Sequence, residues 1–282
     1  MTQYLKLLLA TMTISLLASS CKVESDERPV VTVSIEPLRY FAEQIGGDKF
    51  KVVTMVPGGA SPETYEPTAQ QMADLTESVL YIKVGDLGFE RTWMKRMKAN
   101  MQHLITVDAS EGVAPLPTYA HHSDPHTWTS PANALQMANN ICRAMILIDG
   151  KDSTIYHERL DSLAQRIMTL DAKIDSMLAK ARARSFLIYH PALTYFARDY
   201  KLRQLAIEDN GREPSAATLK RLIDEARGDS VELMFVQKEF ANRNVETVVK
   251  ATGADTVVIN PLSYDWEGEM LKMVEAICKR RK

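Results

Sequence analysis

With 282 residues the chain has about twice the length of one compact domain, so two domains of moderate size are expected. Hydrophobic residues make up 45% and charged residues 25%, the balance of a soluble globular protein, which excludes a disordered, collagen-like or polytopic membrane chain. A formal charge of −2, with no basic block beyond Lys279-Arg280-Arg281-Lys282, argues against nucleic acid as a partner, and three cysteines without a CxxC spacing exclude a disulfide framework.

Residues 1–20 combine Lys6 with an apolar run from Leu7 to Leu17, too short to span a bilayer and suited to a signal peptide. Ala18-Ser19-Ser20 stand directly before Cys21, which resembles a bacterial lipoprotein signal in which Cys21 is lipidated and becomes the new N-terminus. An ordinary secretory signal with an incidental cysteine is the alternative. Residues 21–29 are polar and read as a tether between a membrane anchor and a folded body that begins at Val30.

From Val30 onward, β-branched runs alternate with amphipathic segments. Strands are expected from Val30 to Ile35, Val52 to Val56, Val79 to Val84 and Leu104 to Val107, with helices from Pro37 to Ile45, Thr68 to Glu77, Glu90 to Met101 and Pro131 to Ile148. This alternation predicts a parallel sheet covered by helices, an α/β lobe over residues 30–150. Asp152 to His190 then contains neither Gly nor Pro, and Leu160, Leu163, Ile167, Leu170, Ile174 and Met177 recur at helical spacing. The segment 151–184 is therefore expected to be one long rigid helix of roughly 45 Å, at about 1.5 Å per residue, that joins two lobes. A coiled-coil arm is the other reading of the same stripe. A second α/β lobe follows over residues 185–282. Its strands are expected from Phe186 to Tyr189, Leu205 to Ile207, Leu233 to Val236 and Thr256 to Ile259, and its helices start near Ala192, Ser215, Phe240 and Trp266.

Three of the six histidines, His121, His122 and His126, fall within six residues of one loop, a density that suggests a metal, because neutral imidazole is the commonest borderline ligand. Asp124-Pro125 fixes the backbone before His126 and Trp128 can shield it, so His126 is the expected rigid ligand. His121 and His122 are either auxiliary metal-capturing groups or parts of a solvated loop. His190 closes a strand, and in an open parallel sheet that position points into the ligand crevice; a core histidine is the alternative. The loop from Pro57 to Pro67 also follows a strand end, lacks the glycine spacing and lysine of a phosphate loop, and offers Glu63 and Glu66 to the same crevice. Cys142 and Cys278 read as small core residues, and His103 and His157 as ordinary helix or surface histidines.

Taken together, Pro57 to Pro67, Asp124-Pro125-His126-Thr127-Trp128 and His190-Pro191-Ala192-Leu193-Thr194-Tyr195-Phe196 resemble the PGxxPHxYEP, DPHxW and HPAFxYF motifs of one family. These are the metal-binding lipoproteins that serve as substrate-binding components of bacterial ABC importers for zinc, manganese or iron. The resemblance runs from Val30 to about Ile277 and implies metal held in the cleft between two α/β lobes. By position, His126 and His190 match two of the family's ligands. Glu63 stands where most zinc-specific members have their first histidine, and Asn260, in Asn260-Pro261-Leu262, stands where an aspartate is frequent. Glu208 or Asp209 could supply a further oxygen, with Asp265 a weaker candidate. A carboxylate in place of imidazole leaves Mn²⁺ or Fe²⁺ open beside Zn²⁺, although intrinsic affinity favours zinc over manganese.

The resulting expectation is a monomeric, lipid-anchored receptor on the periplasmic or cell-surface side of the envelope. It captures a divalent transition metal, zinc first, passes it to an ABC-type permease, and catalyses no reaction. A zinc hydrolase using Glu66 or Glu208 as general base is a second reading, weakened by the lack of an HExxH motif, and a metal-binding surface adhesin is a third.

Overall fold

The computed structural model describes residues 26–101, 103–117, 123–208, 212–237 and 243–279. Two four-stranded sheets carry the architecture, and every strand pair in both is parallel. The first sheet uses β1 (Val30–Val33), β2 (Lys51–Thr54), β3 (Ser78–Lys83) and β4 (Ile105–Asp108) in the order β2-β1-β3-β4. The second uses β5 (Ser185–Ile188), β6 (Arg203–Ala206), β7 (Leu233–Gln237) and β8 (Asp255–Ile259) in the corresponding order β6-β5-β7-β8. Central strands such as β7, LMFVQ, are buried along their whole length, as expected of strands covered on both faces, whereas edge strands leave Ile105 and Val258 exposed.

Helices α1 (Glu36–Gly46), α2 (Ala69–Leu75), α3 (Gly88–Asn100) and α4 (Pro131–Ile148) belong to the first half of the chain. Their starts follow local chemistry. Thr68 forms a capping box with Gln71, and Ser130 Oγ accepts from Asn133 N at 3.1 Å with Pro131 in the first turn. In the second half, α6 (Thr194–Asp199), α7 (Ala216–Gly228), α8 (Arg243–Thr252) and α9 (Trp266–Cys278) cover the second sheet. The helix expected from Ala192 begins at Thr194, because Ala192 N donates to His190 O at 2.7 Å in a tight turn. Phe240, where another helix was expected to start, lies outside the described residues.

Between the halves runs α5 (Ser153–Leu178). At about 1.5 Å per residue its 26 residues span about 39 Å, shorter than expected, because turns at Lys180 and Ala181 bend the chain toward β5. Leu160, Leu163, Ile167, Leu170 and Ile174 are all buried, against α1 and α4 on one side and α9 on the other. The stripe is thus spent inside the molecule, which rules out the coiled-coil arm. Polar bonds repeat the join. From α5, Arg166 donates to Gln44 at 2.6 Å and to Glu267 at 3.1 Å, and Tyr264 OH donates to Glu43 at 2.5 Å. Among the described residues, no helix is long and apolar enough to cross a membrane.

Candidate metal centre

The strand order reverses between β1 and β3 in the first sheet and between β5 and β7 in the second, and ligands of open parallel sheets sit beyond strand ends at such points. In the first lobe this point is plugged. Glu90 is fully buried there and accepts from Val84 N at 2.7 Å, Gly85 N at 2.8 Å and Ser34 Oγ at 2.5 Å. Burial pushes its carboxyl above the usual range, and the hydrogen bonds only partly oppose that shift. In the second lobe the point is open, and His190 leaves the end of β5 to fill it. Gln237, the last residue of β7, clamps the His190 backbone on both sides, with its Oε1 3.2 Å from His190 N and its Nε2 3.2 Å from His190 O.

His126 enters from the opposite wall. Asp124 Oδ1 accepts both the backbone N–H of His126 and its ring Nδ1–H, each at 2.8 Å. Glu208 Oε2 does the same for His190 Nδ1 at 3.0 Å. A carboxylate behind each ring fixes the tautomer, so both Nε2 atoms carry their lone pairs forward. They face each other at 3.1 Å, where two lone pairs repel unless a cation lies between them. Burial pulls the His126 pKa down, but the charge and hydrogen bond of Asp124 more than offset it, so the ring takes up a proton above the ordinary histidine range. Asp124 is shifted the other way: burial raises its pKa, and His126 outweighs this and holds it low.

The third group is Glu63, on the loop after β2. Its Oε1 is buried and has no hydrogen-bond partner, an arrangement that is costly for a carboxylate unless something positive approaches. Ligand atoms of Glu63, His126 and His190 lie within 4.8 Å of one another. Together with Trp128, Gln237 and Asn260 these residues line a cavity of about 30 Å³, room for a water or an ion.

Other candidates from the sequence stand elsewhere. Glu208 lies behind His190 and not beside Glu63, its carboxylate being taken by the ring Nδ1. Asn260 lines the cavity, but its Oδ1 accepts from Leu262 N at 3.2 Å, holding its own loop. Asp265 caps α9 by accepting from Gly268 N at 3.1 Å, and Glu66 is exposed and outside the cavity lining. His121, His122, Asp209 and Cys21 lie outside the described residues. Sequence reasoning missed Gln237, whose signal was a lone polar side chain ending a wholly apolar strand, and gave Asp124 a backbone role only.

Comparison with known proteins decides the family. The family model described as zinc-uptake complex component A, periplasmic (ZnuA), matches residues 31–279. The chain belongs to this family. A solved ZnuA structure superimposes with a TM-score of 0.86 at 34% identity, covering 89% of this chain and 98% of that one. A putative metal-binding protein of Treponema pallidum is 28% identical, covering 90% of this chain and 85% of that protein. The high-affinity zinc uptake system protein ZnuA of Bacillus subtilis is 26% identical, over 86% of this chain and 81% of its own length. The ZnuA family is one of metal-binding transport components, and its fold agrees with the two-lobed arrangement and the joining helix described above.

Proposed function

We infer that this ZnuA-family chain captures one divalent transition metal ion, Zn²⁺ first, and delivers it to an ABC-type importer from outside the cytoplasmic membrane. The observation that carries this reading is the pair of Nε2 atoms facing each other at 3.1 Å with the Glu63 carboxylate beside them, its Oε1 unpartnered. Two neutral imidazoles and one carboxylate form a borderline donor set with one negative charge. A tetrahedral zinc ion needs one more donor, which water or the Asn260 amide on the cavity wall can supply. Mn²⁺ and Fe²⁺ also suit such a set, and the usual affinity order places zinc above both.

Capture exchanges a proton for the metal. With no metal present, a proton relieves the facing lone pairs. An arriving ion displaces it, the buried ring nitrogens replace water in the ion's shell, and the Asp124 and Glu208 carboxylates strengthen both donors. The hydrolase reading lacks support here, since Glu66 is exposed and Glu208 is engaged with His190. The wider assignment is a monomer held to the envelope by lipid on Cys21. The lipid anchor rests on the signal-like segment before that residue and is tested by loss of fatty-acid labelling in Cys21→Ser; the monomer is tested by sedimentation of the chain from Lys22.

The direct test is zinc stoichiometry and chelator competition on the chain from Lys22, which retains every described element. One equivalent of zinc is expected, absent in His126→Ala/His190→Ala and weakened in Glu63→Gln. No stoichiometric metal in the wild type, or full binding by the double variant, would overturn the assignment.

A further inference from the structure

The trio is not divided evenly between the lobes. Although His126 precedes α4 in sequence and its neighbour Thr127 bonds Ser110 and Asn133 of the first lobe, its segment is also bonded to the second lobe at several points. Tyr195 OH accepts from Leu116 N at 3.2 Å and donates to Asp124 O at 3.1 Å. Trp128 Nε1 donates to Pro261 O at 2.8 Å, Trp266 Nε1 donates to Trp128 O at 2.8 Å, and Ser130 Oγ donates to Asp199. His126 is therefore held by both lobes and His190 by the second, whereas Glu63 stands on a first-lobe loop packed on α3.

Glu63 sits on the start of α3. Phe89 N donates to Pro62 O at 3.1 Å, and Gly88 lies so close under Glu63 O that any side chain there would overlap it. Within the first turn of α3 stands Arg91. Its guanidinium is parked by Asp86, with Nη1 bonded to the Asp86 backbone carbonyl and 3.4 Å from its carboxylate, while Nη2 lies 3.6 Å from Glu63 Oε2. The Glu63 carboxylate thus lies between the two imidazoles and a cation. Among the described residues, Arg91 is the basic side chain ion-paired with a member of the trio.

We propose that Arg91 sets metal affinity by competing for Glu63, so that loading trades part of the Arg91–Glu63 ion pair for a Glu63–metal bond and release restores it. The inference rests on the trio being the metal site. It assigns to Arg91 the task of keeping a deep site from holding its cargo too long. Both side chains are partly solvated, at 38% and 25% exposure, so the effect is that of a screened pair: about 2- to 5-fold in the dissociation constant.

The test is zinc competition and zinc off-rate for wild type, Arg91→Gln, Arg91→Lys, Glu63→Gln and the Glu63→Gln/Arg91→Gln double variant, each checked for native circular dichroism. Arg91→Gln is expected to bind about 2- to 5-fold tighter, mainly through a slower off-rate. Arg91→Lys should return affinity toward wild type, and the gain should shrink when Glu63 is already Gln. Weaker binding in Arg91→Gln would show that the guanidinium orients Glu63, and an equal gain with or without Glu63 would reduce Arg91 to a remote charge; either result overturns the proposal. Failure of the wild type to bind stoichiometric zinc would instead refute the metal site itself, so the two ideas fail separately.

Discussion

Replacing Asp124 by Asn tests the chemistry behind His126 with little change of shape. An amide oxygen can still accept from both the backbone N–H and Nδ1–H, now at 2.8 Å, so the ring keeps its place and loses the charge behind it. Loss of such an outer partner costs about 10- to 100-fold in metal affinity, or about 1.4–2.8 kcal/mol at about 1.4 kcal/mol per decade. His126 is buried at 5% exposure and water cannot replace the lost charge, which places the expected cost toward the upper end. The variant also has a signature in pH. In the wild type Asp124 lifts the His126 pKa, so protons compete with metal from above the ordinary histidine range downward. With the charge gone, burial is opposed mainly by the more distant Glu63 and Glu208, the ring deprotonates more readily, and the acid loss of binding moves to lower pH. Zinc competition titrations from pH 5.5 to 8.5, with thermal melts to confirm folding, read both effects. Wild-type affinity at pH 8, or weaker binding with an unshifted pH profile, would refute this account.

Other expectations concern the scaffold. Gly88→Ala should push the Glu63 backbone off α3 and weaken zinc binding by more than it lowers the melting temperature, as titration and melting of the same sample would show. Glu90→Gln places an amide N–H₂ against the backbone N–H groups that Glu90 now satisfies, at a cost of about 1–3 kcal/mol in urea unfolding. Because the folded pKa of Glu90 is raised, its contribution to wild-type stability is present below the ordinary glutamate range and is lost as pH rises through the folded value; the variant should lack that step. Trp128→Phe keeps the aromatic packing on His126 but strands Pro261 O, and a loss of about 1–3 kcal/mol in the same unfolding assay is expected.

Much of the fold was legible because parallel strands and their covering helices write distinct periods into the chain. The run Val79 to Val84 and the stripe from Leu160 to Ile174 have no other stable use. Boundaries depended on single bonds that a pattern does not carry, such as the turn from Ala192 to His190 that delays α6. At the site, His126, His190 and Glu63 could be nominated, since motif and strand-end position are local properties. The task of Glu208 was not readable: whether a carboxylate stands beside an imidazole's Nε2 or behind its Nδ1 depends on a few ångströms of packing between β5 and β6. Nor could sequence order reveal that the Asp124–Trp128 segment is bonded to the second lobe, because Tyr195, Pro261 and Trp266 lie 71 or more positions from the groups they hold.

The buried stripe of α5 bears on how the molecule comes apart. One continuous apolar core runs from Val31 in the first sheet, through Leu163, Ile167 and Ile174, to Phe235 and Ile277 in the second lobe. A separate, smaller cluster built around Leu187, Met234 and Val248 belongs to the second lobe alone. Neither sheet can lose its packing without stripping one side of the same helix, so the two lobes are expected to melt as a single cooperative unit, one calorimetric transition and not two. A fragment cut at residue 150 would leave α1 and α4 with a bare apolar face and should aggregate instead of standing as half a receptor.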